Sequence, residues 1–226
     1  MLDPNSLAHG SVMNLVQFEH WENIFESKIK EIASSDDPAH DLLHFKRVVL
    51  MAKRLCEREK GNFNVVIPSA WLHDLVIVSK NDPLRNQASR LSAEKAIQYL
   101  KSIHYPVQYF DQIFHAIHGH SFSADIEVKT IEAKIVQDAD RLDGLGAIGI
   151  ARCFATSGLL KRPFYSVQDP FCETRSPDDS VYTVDHFFKK LFKTAETLKT
   201  ASGREEGLQR VQRMRIYLNN LKMEIG

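Results

Sequence analysis

The chain has 226 residues, and Lys plus Arg equals Asp plus Glu at 29 each. That balance argues against nucleic acid or an anionic membrane as the main partner and favours a small polar ligand, while the length suffices for the core of one domain. Three widely spaced cysteines, Cys56, Cys153 and Cys172, fit neither a disulfide framework nor a thiolate zinc site and point to a reducing cytoplasm.

Residues 1–13 are polar and read as a flexible N-terminus, and residues 14–226 read as one domain dominated by helical periodicity. The start Met-Leu-Asp-Pro-Asn-Ser lacks a basic stretch followed by an apolar core, and no segment offers the roughly 20 apolar residues that span a bilayer. A soluble, unexported protein is expected. Asp36-Asp37-Pro38 is a helix start and Gly61 its stop. Between them Leu42, Phe45, Val49, Ala52 and Cys56 form one buried row, and His44, Val48, Met51 and Leu55 form a second, which turns His44 inward.

Val65-Val66-Ile67-Pro68 is the one strand-like run, and it leads into a short helix over about 68–76 that carries His73 and Asp74. An ionised carboxylate in such an apolar run is costly unless a cation meets it. A polar loop follows through Asn81, Asp82 and Pro83, and then a helix starts at Ser89 or Ser92. Pro106 opens the next helix, which contains Phe110, Ile113, Phe114 and Ile117. One long helical stretch is expected from Ile126 to Thr156, with Ile131, Ile135, Ala139, Leu142 and Leu145 inward. A loop over about 157–180 precedes a helix bearing Phe187, Phe188, Leu191, Phe192, Ala195 and Leu198 and a last helix after Gly203. Helices outnumber strands so heavily that the fold class is all-α.

His44, His73, Asp74 and Asp140 are polar residues on apolar helical faces. Two imidazoles and two carboxylates without thiolate suit one divalent ion, Mn, Fe, Co, Ni, Zn or Mg, with positions left open for water and a phosphoryl oxygen. Asp41 and Asp143, each one turn from a candidate ligand, are placed to orient a ligand or take a proton. Arg47, Arg85, Arg90 and Arg141 are candidates for phosphate, because guanidinium forks match its geometry. His115 and His118 share a helical face that is a candidate for a second metal, and His120 is a candidate for facing substrate. Gly144-Leu-Gly146-Ala-Ile-Gly149 matches a dinucleotide fingerprint, but no buried strand precedes it, so its glycines are read as close-packing positions.

The ordered set His44, His73-Asp74 and Asp140 resembles the HD-domain superfamily of metal-dependent phosphohydrolases. The likeness extends through His-Asp-x-x-His-x-x-Arg-Val at 40–48, Ala-Ile-x-x-His-Ser-Phe-Ser at 116–123, Ala-Asp-Arg-Leu-Asp-Gly-Leu-Gly-Ala-Ile-Gly-Ile-Ala-Arg at 139–152 and His-Phe-x-x-Lys-Leu at 186–191. These motifs look like one bacterial branch of small single-domain hydrolases, some of which act on nucleoside triphosphates and release pyrophosphate. The resemblance implies an HD-type helical bundle in which His44, His73, Asp74 and Asp140 hold one divalent metal ion; beside it, Asp74 or Asp143 is the expected acceptor of the proton of an attacking water. It implies a cytoplasmic enzyme acting on a small-molecule nucleotide, with no nucleic acid polymer and no membrane as partner and with a homodimer left open. Two alternatives stand beside it: a non-catalytic nucleotide or metal sensor on the same fold, and a cyclic-nucleotide phosphodiesterase, although the glycine-tyrosine-proline signature of the cyclic-dinucleotide branch is absent. A di-iron oxygenase on a related scaffold needs more ligands than are present.

Overall fold

The centre of the molecule is a helix with no polar face. The computed structural model describes residues 15–32, 41–78, 82, 85–121 and 126–226, with the side chains of 15–17 and 85 outside the description. Among these residues the elements are α1 (Leu15–Ile32), α2 (Leu42–Glu59), α3 (Phe63–Leu72), α4 (Ala88–Ser102), α5 (Phe110–His120), α6 (Ile131–Asp143), α7 (Gly146–Leu159), α8 (Phe192–Glu196) and α9 (Ala201–Ile225), with no strand. Helix α3 packs against α1, α2, α5 and α6, and all its residues from Asn64 to Leu72 are buried. A helix enclosed on every side is apolar all round.

The strand-like run Val65-Val66-Ile67-Pro68 is therefore helical, correcting the sequence expectation, since a short apolar run carries no periodicity that separates a core strand from a core helix. Pro68 lies inside α3 and has no N–H for the carbonyl of Asn64. The hydroxyl of buried Tyr105 donates to that carbonyl at 2.8 Å, and burial pushes the phenol pKa up, so it stays a donor. Replacing Tyr105 by Phe leaves the carbonyl without this donor. The expected cost is about 1–3 kcal/mol, read as a fall of about 5 °C in the thermal midpoint.

Other boundaries also move. The expected start at Asp36–Pro38 lies outside the described residues, as do residues 1–13; the described cap of α2 is Asp41, whose carboxylate accepts the His44 N–H at 2.7 Å. Lys60, in the left-handed region at φ 56°, ends that helix one residue before Gly61. Helix α3 stops at Leu72, so His73 is its C-cap and Asp74 follows in a turn, not on a helix reaching 76. The single helix expected from 126 to 156 is two, broken at Gly144–Leu145, with Gly146 at φ +70°. At Gly149 a Cβ would lie 2.2 Å from the Gly144 carbonyl oxygen. The glycine motif is thus a tight corner that ends α6 and turns the chain back as α7.

Helix α7 continues to Leu159, past the expected loop boundary at 157. Phe187–Leu191 is a π-helical turn leading into α8, which stops at Glu196, short of Leu198. Helix α9 begins at Ala201, ahead of Gly203, behind the N-cap Thr200. That cap is tied to α6 by Asp138, which accepts the Lys199 and Thr200 N–H groups and the Thr200 hydroxyl. No helix among the described residues is long and apolar enough to cross a membrane.

Candidate metal centre

Four helices deliver polar side chains to one point in this core. His44 comes from the first turn of α2, His73 and Asp74 from the end of α3, His120 from the last residue of α5 and Asp140 from the last turn of α6. His44 Nε2 lies 3.3 Å from His73 Nε2 and 3.7 Å from Asp140 Oδ1. His73 Nε2 is 3.6 Å from Asp74 Oδ2 and 3.9 Å from Asp140 Oδ1. His120 Nε2 approaches Asp74 Oδ1 at 3.3 Å. The rings of His44, His73 and His120 are buried, whereas Asp74 and Asp140 are partly open to solvent.

The outer nitrogens decide what faces the centre. His73 Nδ1 lies 2.9 Å from the Ala70 carbonyl oxygen and His120 Nδ1 2.6 Å from that of Ile117. A carbonyl only accepts, so each Nδ1 carries a proton. His44 Nδ1 lies 2.8 Å from the Asp143 carboxylate, which likewise calls for N–H. His44 and His73 therefore turn two Nε2 lone pairs toward each other at 3.3 Å, beside two carboxylates. An all-acceptor cluster in a buried site calls for a cation. His44, His73 and Asp140 form one set whose ligand atoms all lie within 4.8 Å of one another, and His73, Asp74 and His120 form another. The donor set fits a divalent ion with nitrogen and oxygen preference.

Charge follows from the same contacts. Burial pulls His73 down to about 4, so its lone pair is available at neutral pH without loss of a proton. Burial also opposes charge on His120, but the hydrogen bond and charge of Asp74, with Asp140 behind it, raise that ring to about 9. In the metal-free chain His120 thus supplies part of the positive charge that the cluster lacks.

Asp143 sits behind His44. Its carboxylate accepts from Arg47 Nε at 2.6 Å, Arg47 Nη2 at 3.0 Å and Arg152 Nη1 at 2.7 Å, besides His44. Burial alone would raise its pKa, yet the hydrogen bonds of His44 and Arg47 and the charge of Arg152 hold it well below the usual carboxylate range.

The other candidates are placed as follows. Arg47 reaches the centre's edge through Asp143. Arg90 is half exposed on α4 and pairs with Glu94 at 3.5 Å. Arg141 donates through Nη1 to the Thr197 carbonyl and hydroxyl. The side chain of Arg85 lies outside the described residues. His115 Nε2 accepts the Lys129 N–H and His118 packs edge-on against Phe114. Among the described residues the metal-capable groups use His120 and not that pair. Asp41 serves as the cap of α2.

Sequence reasoning missed Arg152. On one continuous helix a nine-residue step is about 900°, which puts Arg152 on the face opposite Asp143. The corner at Gly144–Gly146 cancels that phase and brings the two together.

Comparison with known proteins gives the following likenesses. A profile described as the HD domain matches residues 42–145, which include every residue of the cluster and leave out Arg152. The uncharacterized protein YpgQ of Bacillus subtilis (strain 168) is 30% identical over 201 residues, 87% of this chain and 90% of YpgQ. The crystal structure of B. subtilis YpgQ in complex with ADP aligns over 90% of this chain and 97% of that one, with a TM-score of 0.70 and 30% identity. An HD-superfamily hydrolase from Bacillus thuringiensis aligns over 92% and 96%, with a TM-score of 0.70 and 28% identity.

Proposed function

The chain belongs to the HD-domain superfamily of metal-dependent phosphohydrolases, and on that premise we propose that it hydrolyses a nucleoside triphosphate to a monophosphate and pyrophosphate. The observation that carries the reading is the acceptor-only cluster of His44, His73, Asp74 and Asp140. These four are assigned as the ligands of one divalent ion. When bound, the ion supplies Lewis acidity, making water nucleophilic near neutral pH and drawing charge from a phosphoryl oxygen. The choice of a nucleotide is supported by the ADP held in the related YpgQ. The choice of pyrophosphate release rests on the branch that the sequence resembles.

Water attacks the α-phosphorus, the bond to the bridging oxygen breaks and pyrophosphate leaves. Asp74, one-fifth exposed and 3.3 Å from His120, is assigned the proton of the attacking water. His120, cationic in the metal-free chain, is assigned a phosphate oxygen. Arg47, partly exposed at the centre's edge with its fork on Asp143, is a candidate to steady the remaining phosphates, with Arg85, Arg90 and Arg141 as further candidates. A cytoplasmic setting is part of this proposal, supported by the small number and wide spacing of the cysteines in the sequence.

The test is a panel of nucleoside triphosphates, diphosphates and cyclic nucleotides incubated with the Mn2+- or Co2+-loaded chain, with pyrophosphate and phosphate resolved by ion exchange. Pyrophosphate with the matching monophosphate is expected from at least one triphosphate. Tight nucleotide binding without turnover would instead identify a sensor, and opening of a cyclic ester would identify a phosphodiesterase.

A further inference from the structure

Asp143 and its partner Arg152 are charged groups beside the centre that the reaction above does not use, and the way the three histidines are held explains why Asp143 is there. His73 and His120 stand at helix C-termini, where the last carbonyls lack intrahelical partners. Each ring turns back onto a carbonyl three residues earlier, Ala70 for His73 and Ile117 for His120, and so fixes its own Nδ1–H. His44 stands at the opposite kind of helix end. Three residues before it, the Asp41 carbonyl already accepts the backbone N–H of His44 at 3.0 Å, and the Asp41 carboxylate accepts the same N–H. With that carbonyl and carboxylate engaged, the acceptor for the His44 ring comes from another helix, and Asp143 on α6 is that acceptor.

Asp143 is also built to stay where it is. It is 3% exposed and receives four N–H contacts, from His44, twice from Arg47 and from Arg152. Four donors match the roughly four lone-pair sites of a carboxylate, which suits an anchor and not a proton acceptor. Arg47 grips it from α2 as a two-point fork, and Arg152 reaches it from α7 because the Gly144–Gly146 corner turns that helix back. Two guanidiniums keep one carboxylate ionised and immobile, and the ionised carboxylate selects the proton position on the imidazole.

We infer that Asp143, clamped by Arg47 and Arg152, is a positioning residue that locks His44 in its Nδ1–H tautomer and so presents Nε2 to the metal centre. The tautomer follows from the contacts themselves; its consequence for metal rests on the phosphohydrolase reading.

The experiment uses the full chain, 15N-labelled and stripped of metal with a chelator, and records long-range 1H–15N imidazole spectra, with His44→Gln to assign the ring. Wild type is expected to show His44 as the Nδ1–H form, Asp143→Asn and Arg152→Gln to show a mixed population, and Arg152→Lys to recover part of the wild-type signal. In parallel, Mn2+ affinity measured by chelator competition is expected to weaken about 10–100-fold in Asp143→Asn, less in Arg152→Gln, and to recover in Arg152→Lys. An unchanged His44 tautomer in Asp143→Asn and Arg152→Gln, or an unchanged Mn2+ affinity in both, overturns the inference. Should Asp143→Asn fail to fold, the two Arg152 variants decide it. A wild-type chain that binds no Mn2+ or Co2+ sinks the phosphohydrolase reading instead, and the tautomer spectra then decide this one alone.

Discussion

Asp140→Asn is expected to lower kcat/KM for the best nucleotide by at least about 1000-fold, or about 4 kcal/mol of transition-state stabilisation. The substitution keeps shape and volume, so packing of α6 against α2 and α5 is preserved and the loss is chemical. Asp140 Oδ1 lies between the two Nε2 atoms, 3.7 Å from that of His44 and 3.9 Å from that of His73. Removing its charge leaves Asp74 as the one carboxylate among the four assigned ligands, and metal content after dialysis against Mn2+ should fall with activity. The metal-free variant is expected to melt no lower than wild type, because an amide relieves crowding of acceptors that only a cation reconciles. His118→Ala is the matched control. That ring is two residues before His120 in sequence, on another face of α5, but packs on Phe114, and its loss should leave both metal content and kcat/KM within about threefold. An Asp140→Asn protein that keeps a tenth of wild-type turnover with metal bound would remove Asp140 from the ligand set.

The parts of the centre that could be read from the sequence are those in which a polar residue interrupts an apolar row. His44 falls in phase with Val48, Met51 and Leu55, and all four are buried in α2. His73 and Asp74 stand out against the buried run before them, and Asp140 comes out of the buried face of α6. What stayed hidden depends on chain reversal or on other elements. Val65, Val66 and Ile67 are β-branched and suggest a strand, yet enclosure by α1, α2, α5 and α6 makes them a helix, with Tyr105 supplying the donor that Pro68 cannot. Arg152 could not be linked to Asp143 until the helix broke at Gly144–Leu145. The glycines were visible, but a G-x-G-x-x-G string does not say whether it packs a helix or ends one. His120 was legible as a residue near a helix end, but its contact with Asp74 is set by how α5 lies on α3, which no local pattern encodes.

The metal-free protein is expected to be most stable near pH 6.5 and to lose stability on both sides, for two opposite reasons. His73 is pulled down to about 4 by burial. Its unfolded form takes up a proton near pH 6.5 while the folded form does not, so the stabilisation present above 6.5 is lost as pH falls toward 4. His120 is raised to about 9 by Asp74. Its folded form keeps a proton that the unfolded form has released, so the stabilisation present below 6.5 is lost as pH rises toward 9. Each arm corresponds to about 3 kcal/mol, or a fall of roughly 6–12 °C in the thermal midpoint for a chain of this size. Carboxylates held low, Asp143 and Asp179 among them, act below this window and do not distort it. Thermal melts of chelator-treated protein from pH 4 to 9 read the profile directly, and His120→Gln should flatten the alkaline arm while keeping most of the acid arm, which burial of His73 dominates and the His120 charge only reinforces. Adding Mn2+ to about 100 times its Kd should raise stability by about 2.7 kcal/mol. At a fixed Mn2+ concentration the increment should grow from pH 6.5 to 8.5, because the ion competes with the His120 proton for Asp74. A flat profile in the metal-free chain, or a Mn2+ increment that shrinks with pH, would show that His120 does not hold the charge of the empty cluster.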